Sequence, residues 1–290
     1  MIKLVACDLD GTLFNREMVV SDTNIKAIRD AQAAGIEFLI ATGRAPLESK
    51  IVIAAAKLKT GFINLNGALV FDAEGKLMVK HAIEHTQVKQ LFTLLRQTHF
   101  YFEVITADQV YTEDVNARIT NIAHLLVDLN PGMDFRTAVS ISAGSKAIMT
   151  MQAIDSFDEL LAQPNIEVLK VIAFDARGRE AFAKVIPQIN QLGLTVSASS
   201  ATNIEINAAK AQKGIALLDY ARKKGYQVAE TAAIGDNLND LSMIKMAGIG
   251  VAMGNAISLI KAQANLETKD NNSDGVAHIL RKFMQMNTRG

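Results

Sequence analysis

The sequence predicts an α/β fold in which both ends of the chain build a parallel-sheet core and the middle forms an α+β insertion. Two patterns carry that expectation. At both ends of the 290-residue chain, short apolar runs of strand length alternate with capped helical stretches. In the middle, strands follow strands and helices segregate, which favours a separate α+β unit. The expected boundaries put residues 1–82 and 200–290 in the core and 83–199 in the insertion.

Ile2 to Cys7 is an apolar run of strand length. Ser21 or Asp22 can cap a helix that carries Ile25, Ile28 and Ala31 on one face, and Gly35 suits its end. Phe38 to Ala41 reads as a second buried strand, and Pro46 fits the first turn of a helix through Ile51 and Leu58. Asn66-Gly67 inside the apolar stretch Phe62 to Val70 signals a hairpin turn. The insertion is expected to hold a helix Thr86 to Thr98, strands Tyr101 to Ile105 and Val110 to Thr112, and a helix Asn116 to Val127. Further on it reads as a strand Ile166 to Phe174, a helix Gly178 to Gln191 and a strand Leu194 to Ser199. Small residues blur both periodicities between Ala138 and Ala153. Core-type alternation is expected to return with strand Ile204 to Ile206, helix Gly214 to Lys224, strand Ala232 to Ile234, helix Leu238 to Met246 and strand Ile249 to Ala252.

Thirty basic residues balance thirty acidic ones, which argues against a mainly electrostatic nucleic-acid binder. Cys7 is the only cysteine, so intramolecular disulfides and thiolate-rich metal sites are excluded. The apolar run at the N terminus is too short for a signal peptide, and no stretch approaches the roughly 18 apolar residues of a membrane span. The expectation is a soluble cytoplasmic protein with no membrane partner; oligomeric state is not legible.

Four segments at strand ends carry chemistry. Asp8-Leu9-Asp10-Gly11-Thr12 offers carboxylates at i and i+2, which leave a strand on the same side and so can face one reacting centre. Taken singly, it reads equally well as a solvated acidic turn. Thr42-Gly43-Arg44 follows the next strand, where a hydroxyl, glycine amides and a helix N-terminus can hold phosphate oxygens, though taken singly it reads as an ordinary turn. Lys213 opens a helix against the helix dipole, a misplacement that a bound anion would compensate; taken singly it reads as a solvated lysine. Gly235-Asp236-Asn237-Leu238-Asn239-Asp240 supplies hard oxygen ligands of the kind magnesium takes, or else an ordinary helix cap. His81 and His85 have helical zinc-ligand spacing but straddle a strand-to-helix change and lack a third ligand, so they read as ordinary side chains.

These four segments, in this order, resemble the four motifs of the haloacid dehalogenase-like hydrolases, and the wider pattern is similar to the Cof-type phosphatases with a large α+β (class IIB) cap. The resemblance also takes in Asn66-Gly67-Ala68, the stretch from Gly248 to Ala256, and Ser273-Asp274-Gly275-Val276-Ala277. The chain departs from the usual pattern at Asn237, where glycine is common, and at Gln212, where serine is usual.

The resemblance implies a Rossmann-like parallel-sheet core with an inserted α+β cap domain, and magnesium-dependent hydrolysis of small phosphorylated metabolites, sugar phosphates foremost, through an aspartyl-phosphate. It implies Asp8 as nucleophile and Asp10 as general acid and base. Magnesium would be held by the Asp8 carboxylate, the Asp10 backbone carbonyl and Asp236. Thr42, Lys213, Asn239 and backbone amides around Leu9 and Gly43 would bind the phosphoryl oxygens, while Asp240 orients Lys213 or metal waters. Arg44 reads either as a substrate or cap contact or as a surface ion pair. Glu113, Arg118 and His124 are candidate specificity groups in the insertion. A non-catalytic phosphometabolite binder on the same fold, or a phosphotransferase or mutase, remains an alternative.

Overall fold

The computed structural model describes residues 1–289. The chain divides into two compact units, one formed by residues 1–81 and those from 210 onward, the other by Ala82–Ala209. From the N terminus it lays down β1 (Leu4–Asp8), β2 (Glu37–Ala41), β3 (Gly61–Asn64), β4 (Leu69–Phe71) and β5 (Leu77–Lys80). The insertion adds β6 (Tyr101–Ile105), β7 (Val110–Thr112), β8 (Gln152–Ala153), β9 (Lys170–Phe174), β10 (Leu194–Ser197) and β11 (Asn203–Ala208). The chain then completes the first unit with β12 (Thr231–Gly235), β13 (Ile249–Ala252) and β14 (Leu266–Glu267).

The first unit is built on an eight-stranded sheet in the order β14-β13-β12-β1-β2-β3-β4-β5. Its strands from β14 to β3 are parallel, and β4 and β5 turn back antiparallel. The central strands are buried along their whole length, which explains why they read as continuous apolar runs rather than alternating ones. Helices carry the matching faces. Ser21 caps the helix Asp22–Ala33 by accepting from the Asn24 N–H at 3.1 Å, and Ala27, Ile28 and Ala31 enter the core. The helix Gly275–Arg289 brings Val276, Ala277, Ile279, Leu280 and Phe283 to the same cluster.

The second unit holds a six-stranded sheet ordered β10-β11-β9-β6-β7-β8, antiparallel except for the β7–β8 pair. The helix His85–Gln97 and the short helix Phe157–Ala162 pack on one side of it, where the rings of Phe92, Phe102 and Phe157 stand 5.0–5.4 Å apart.

Several sequence expectations need correction. The strand around Ile204 to Ile206 does not return the chain to the first sheet; β11 pairs antiparallel with β9 and β10, and the return comes at residue 210 rather than 200. Its alternating Asn203, Glu205 and Asn207 are what a strand with one polar face shows, and a fully apolar core strand would lack them. The helix expected through Leu58 ends at Ala54, with Lys57 in the left-handed region at φ 48°. The stretch Gly178 to Gln191 is two pieces, Arg179–Phe182 and Ile186–Gln191, because Pro187 lacks an N–H and sits in the first turn of the second. The ambiguous Ala138 to Ala153 region resolves into helices Phe135–Ala143 and Lys146–Met149 followed by β8.

Candidate active site

The order β12-β1-β2 brings three strand ends side by side. Cys7 pairs with Ile234 on one flank and Asp8 with Ala41 on the other. Neighbouring strands lie about 4.8 Å apart, so Asp8, Thr42 and Asp236 leave the sheet close together at its carboxyl edge. Cys7, one residue earlier, turns to the opposite face and is fully buried in the core.

β1 stops at Asp8. The chain then folds through a tight irregular turn, Leu9–Leu13, with Asp10 at φ −85°, ψ 112° and Gly11 at φ 87°. This overturns the idea that Asp8 and Asp10 project together from a strand, because Asp10 already belongs to the turn. Its carboxylate is gripped in a fork by Arg44, with Nε 2.9 Å from Oδ2 and an η nitrogen 2.6 Å from Oδ1. Of the two readings of Arg44, the ion pair is the one formed. Gly11 is needed twice over: its φ is positive, and a Cβ there would lie 2.7 Å from Asp236 Oδ2.

Lys213 is the electrostatic centre. It opens the helix Lys213–Lys224, is wholly buried, and donates to Asp8 Oδ1 at 2.5 Å and to Asp240 Oδ1 at 2.7 Å. Its position at a helix N-terminus is thus compensated by two carboxylates of the protein itself. Asp240 Oδ2 accepts the N–H groups of Asp236 and Asn237 at 2.9 and 3.0 Å, so one side chain ties the lysine to the turn after β12. Thr12 Oγ1 donates to Asp236 Oδ1 at 2.7 Å. The helix packs closely on its neighbour: a Cβ on Gly214 would meet the Ser242 carbonyl at 2.4 Å, and the Gly214 N–H donates to Ser242 Oγ at 3.0 Å.

Burial pushes the Asp8 carboxyl up, Asp240 adds to this, and Lys213 only partly offsets both. Asp236 is pushed up to about 6, mainly by burial, against the hydrogen bond from Thr12 and with the charges of Asp240 and Asp10 adding to the rise. Lys213 is raised above its ordinary value: burial opposes its charge, but Asp240 and Asp8 outweigh burial.

Oxygens of Asp8, Asp236 and Asp240 all lie within 4.8 Å of one another, the one cluster of metal-ligating side chains with this spacing among the described residues. Lys213 bonds two of these three carboxyl groups, so the acids outnumber the ammonium, and the donors are hard oxygens. That set fits a magnesium ion. The Asp10 carboxylate is not in the cluster. Thr42 is buried and its hydroxyl accepts the Arg44 N–H at 3.1 Å. Gly43 passes close to Asn66, Leu9 is buried beside Asp8, and Asn239 is half-buried on the turn Leu238–Asp240.

The candidate specificity groups of the insertion are engaged within their own unit. Glu113 accepts from Arg96 and from the Phe157 N–H, Arg118 pairs with Glu103 at 3.1 Å and lies over Phe174, and His124 packs on Phe135. His81 bonds Asp219 at 3.1 Å. Thr12 and Asn64 were not singled out by sequence reasoning. Thr12 had a signal, as a hydroxyl four residues after Asp8 in a turn, whereas nothing local marks Asn64.

Comparison with known proteins identifies the family. The profile of the haloacid dehalogenase-like hydrolases matches residues 5–280. Phosphatase YwpJ of Bacillus subtilis is 33% identical over 285 residues, 98% of this chain and 100% of that protein. The 5-amino-6-(5-phospho-D-ribitylamino)uracil phosphatase YcsE of the same organism is 30% identical, over 98% of this chain and 96% of its own. A solved haloacid dehalogenase-like hydrolase from B. subtilis superposes with a TM-score of 0.80 at 32% identity, covering 97% of this chain and 99% of the other. The chain belongs to the haloacid dehalogenase-like hydrolases and, through relatives aligned over nearly its whole length, is a phosphoric monoester hydrolase. No helix among the described residues is long and apolar enough to cross a membrane.

Proposed function

We propose that the protein is a magnesium-dependent phosphatase of small phosphorylated metabolites, sugar phosphates in particular, working through a phosphorylated Asp8. The observation that carries this reading is the buried Lys213 bridging Asp8 and Asp240, with Asp236 within ligand distance of both. Asp8, Asp236 and the Asp10 carbonyl would hold the metal. Magnesium, when bound, neutralises the excess carboxylate charge and the phosphoryl oxygens.

An oxygen of Asp8 attacks phosphorus, forming a P–O bond as the bond to the leaving alkoxide breaks. Asp10 gives that alkoxide its proton. A water then attacks the phosphorylated Asp8 and passes a proton to Asp10; the P–O bond to Asp8 breaks, and inorganic phosphate leaves. Lys213, the Thr42 hydroxyl, Asn239 and the N–H groups of Leu9 and Gly43 take the phosphoryl oxygens, with Asp240 keeping the ammonium aimed. Both Asp10 oxygens are taken up by Arg44, so Asp10 enters this cycle only when its carboxyl leaves that fork and turns to the leaving group.

The substrate class is supported by the phosphoribityl compound in the name of YcsE. In this reading the insertion is the cap domain, and the enzyme works in the cytoplasm, where such metabolites occur. The test is p-nitrophenyl phosphate hydrolysis with and without a chelator, followed by a panel of phosphorylated metabolites. Turnover unaffected by chelation refutes the metal requirement, and a panel in which no sugar phosphate is hydrolysed refutes the substrate class.

A further inference from the structure

The loop that carries Thr42 and Gly43 is held by the end of β3. Asn64, the last residue of that strand, is 1% exposed. Its Nδ2 donates to the Arg44 carbonyl at 3.2 Å and to Ser49 Oγ at 2.7 Å. Ser49 is itself fully buried, and its hydroxyl donates to the carbonyls of Ala45 and Pro46 at 3.2 and 3.1 Å, at the start of the helix Pro46–Ala54. Both amide hydrogens of Asn64 therefore go to the stretch that follows Thr42-Gly43. Backbone bonds run beside them, from the Leu65 N–H to the Arg44 carbonyl and from the Asn66 N–H to the Thr42 carbonyl, each 3.1 Å.

The other end of the same amide gains nothing. Asn64 Oδ1 is buried without a hydrogen-bond partner among the described residues. An orphaned buried carbonyl costs stability that an apolar side chain of similar volume does not. The donor half of the amide is what asparagine provides there, and its targets lie in the loop.

We infer that Asn64 is a positioning residue of the phosphoryl site: by fixing the Arg44 carbonyl it sets the orientation of the Thr42 hydroxyl and the Gly43 N–H. The inference rests on the phosphate-binding role proposed for Thr42. Its test is a cycle of Asn64→Leu, Thr42→Ala and the double variant, assayed on p-nitrophenyl phosphate in excess magnesium and checked for folding by circular dichroism. The expected result is a folded Asn64→Leu protein whose kcat falls about tenfold with KM changed less than about twofold, and whose loss disappears in the Thr42→Ala background.

A folded Asn64→Leu enzyme with unchanged kcat overturns the inference. So does a loss that recurs in full beside Thr42→Ala while that variant is itself impaired, which leaves the proposed function standing. A fully active Thr42→Ala enzyme overturns the phosphate site and the inference together. If Asn64→Leu does not fold, Ser49→Ala is read in the same cycle. A kcat loss that Thr42→Ala erases supports the inference, and an unchanged kcat overturns it.

Discussion

Lys213 and Asp8 are joined at 2.5 Å in a pocket where the lysine has no exposure to water. The ammonium that balances Asp8 is also bound to Asp240, so a single buried cation serves two acidic groups. Lys213→Met leaves both carboxylates buried and unpaired. Breaking such a pair costs about 3–5 kcal/mol, so the variant is expected to lose that much stability at pH 7.5 in urea unfolding, and to be inactive. A variant with unchanged stability contradicts this account.

Asp8→Asn removes the attacking oxygen's charge while leaving a side chain of the same shape. Turnover is expected to fall below a few per cent of the parent's, a loss of about 2 kcal/mol or more in transition-state stabilisation, with circular dichroism unchanged. More residual activity than that, in a preparation free of the parent enzyme, rules out Asp8 as nucleophile.

The acid cluster gives a signed dependence on pH. Asp236 titrates at about 6 in the metal-free fold, above its ordinary 3.8, so its stabilising contribution is complete below pH 4 and is lost as pH rises through 6. Asp8 shifts in the same direction. Metal-free protein should therefore have a lower Tm at pH 7.5 than at pH 5. Magnesium should raise Tm at pH 7.5 and have little effect near pH 5, where protons compete for the ligands. Thermal melts with magnesium or EDTA at the two pH values decide this, and a magnesium effect that is larger at pH 5 contradicts it.

Gly11→Ala puts a methyl group 2.7 Å from Asp236 Oδ2 and forces alanine to φ 87°. The backbone term alone is about 1–2 kcal/mol. The expected outcome is at least a tenfold weaker magnesium dependence, read as the metal concentration giving half-maximal rate. A normal magnesium titration shows that Asp236 is not held against Gly11.

The legible part of the fold was the part whose strands are buried on both faces. β1, β2, β12 and β13 are short strands whose interiors are apolar runs, with polar residues only at their ends. Asp8, Thr42, Lys213 and Asp236 could be singled out because each follows such a run or opens a helix. Sheet order was not legible, since which strands lie side by side depends on packing across the chain. The partner of Asp10 was open for the same reason: Arg44 reaches it only because β2 neighbours β1. β11 misled because a short strand followed by a helix resembles a core β–α unit, and only its alternating polar residues Asn203, Glu205 and Asn207 set it apart. Asn64 was hidden because its meaning lies in Arg44 and Ser49, far enough away in sequence that no spacing rule connects them.

The catalytic unit is written in two instalments. On the ribosome, β1 and β2 emerge long before the segment beginning at Lys210, and residues 82–209 are made in between. Until β12 arrives, β1 lacks one of its two flanking strands, and Asp8 has neither Lys213 nor Asp236 beside it. Asp8 spends that interval apart from the buried groups that later surround it. Assembly of the reactive centre is therefore a late event in the life of the nascent chain, and the insertion has the time to fold first.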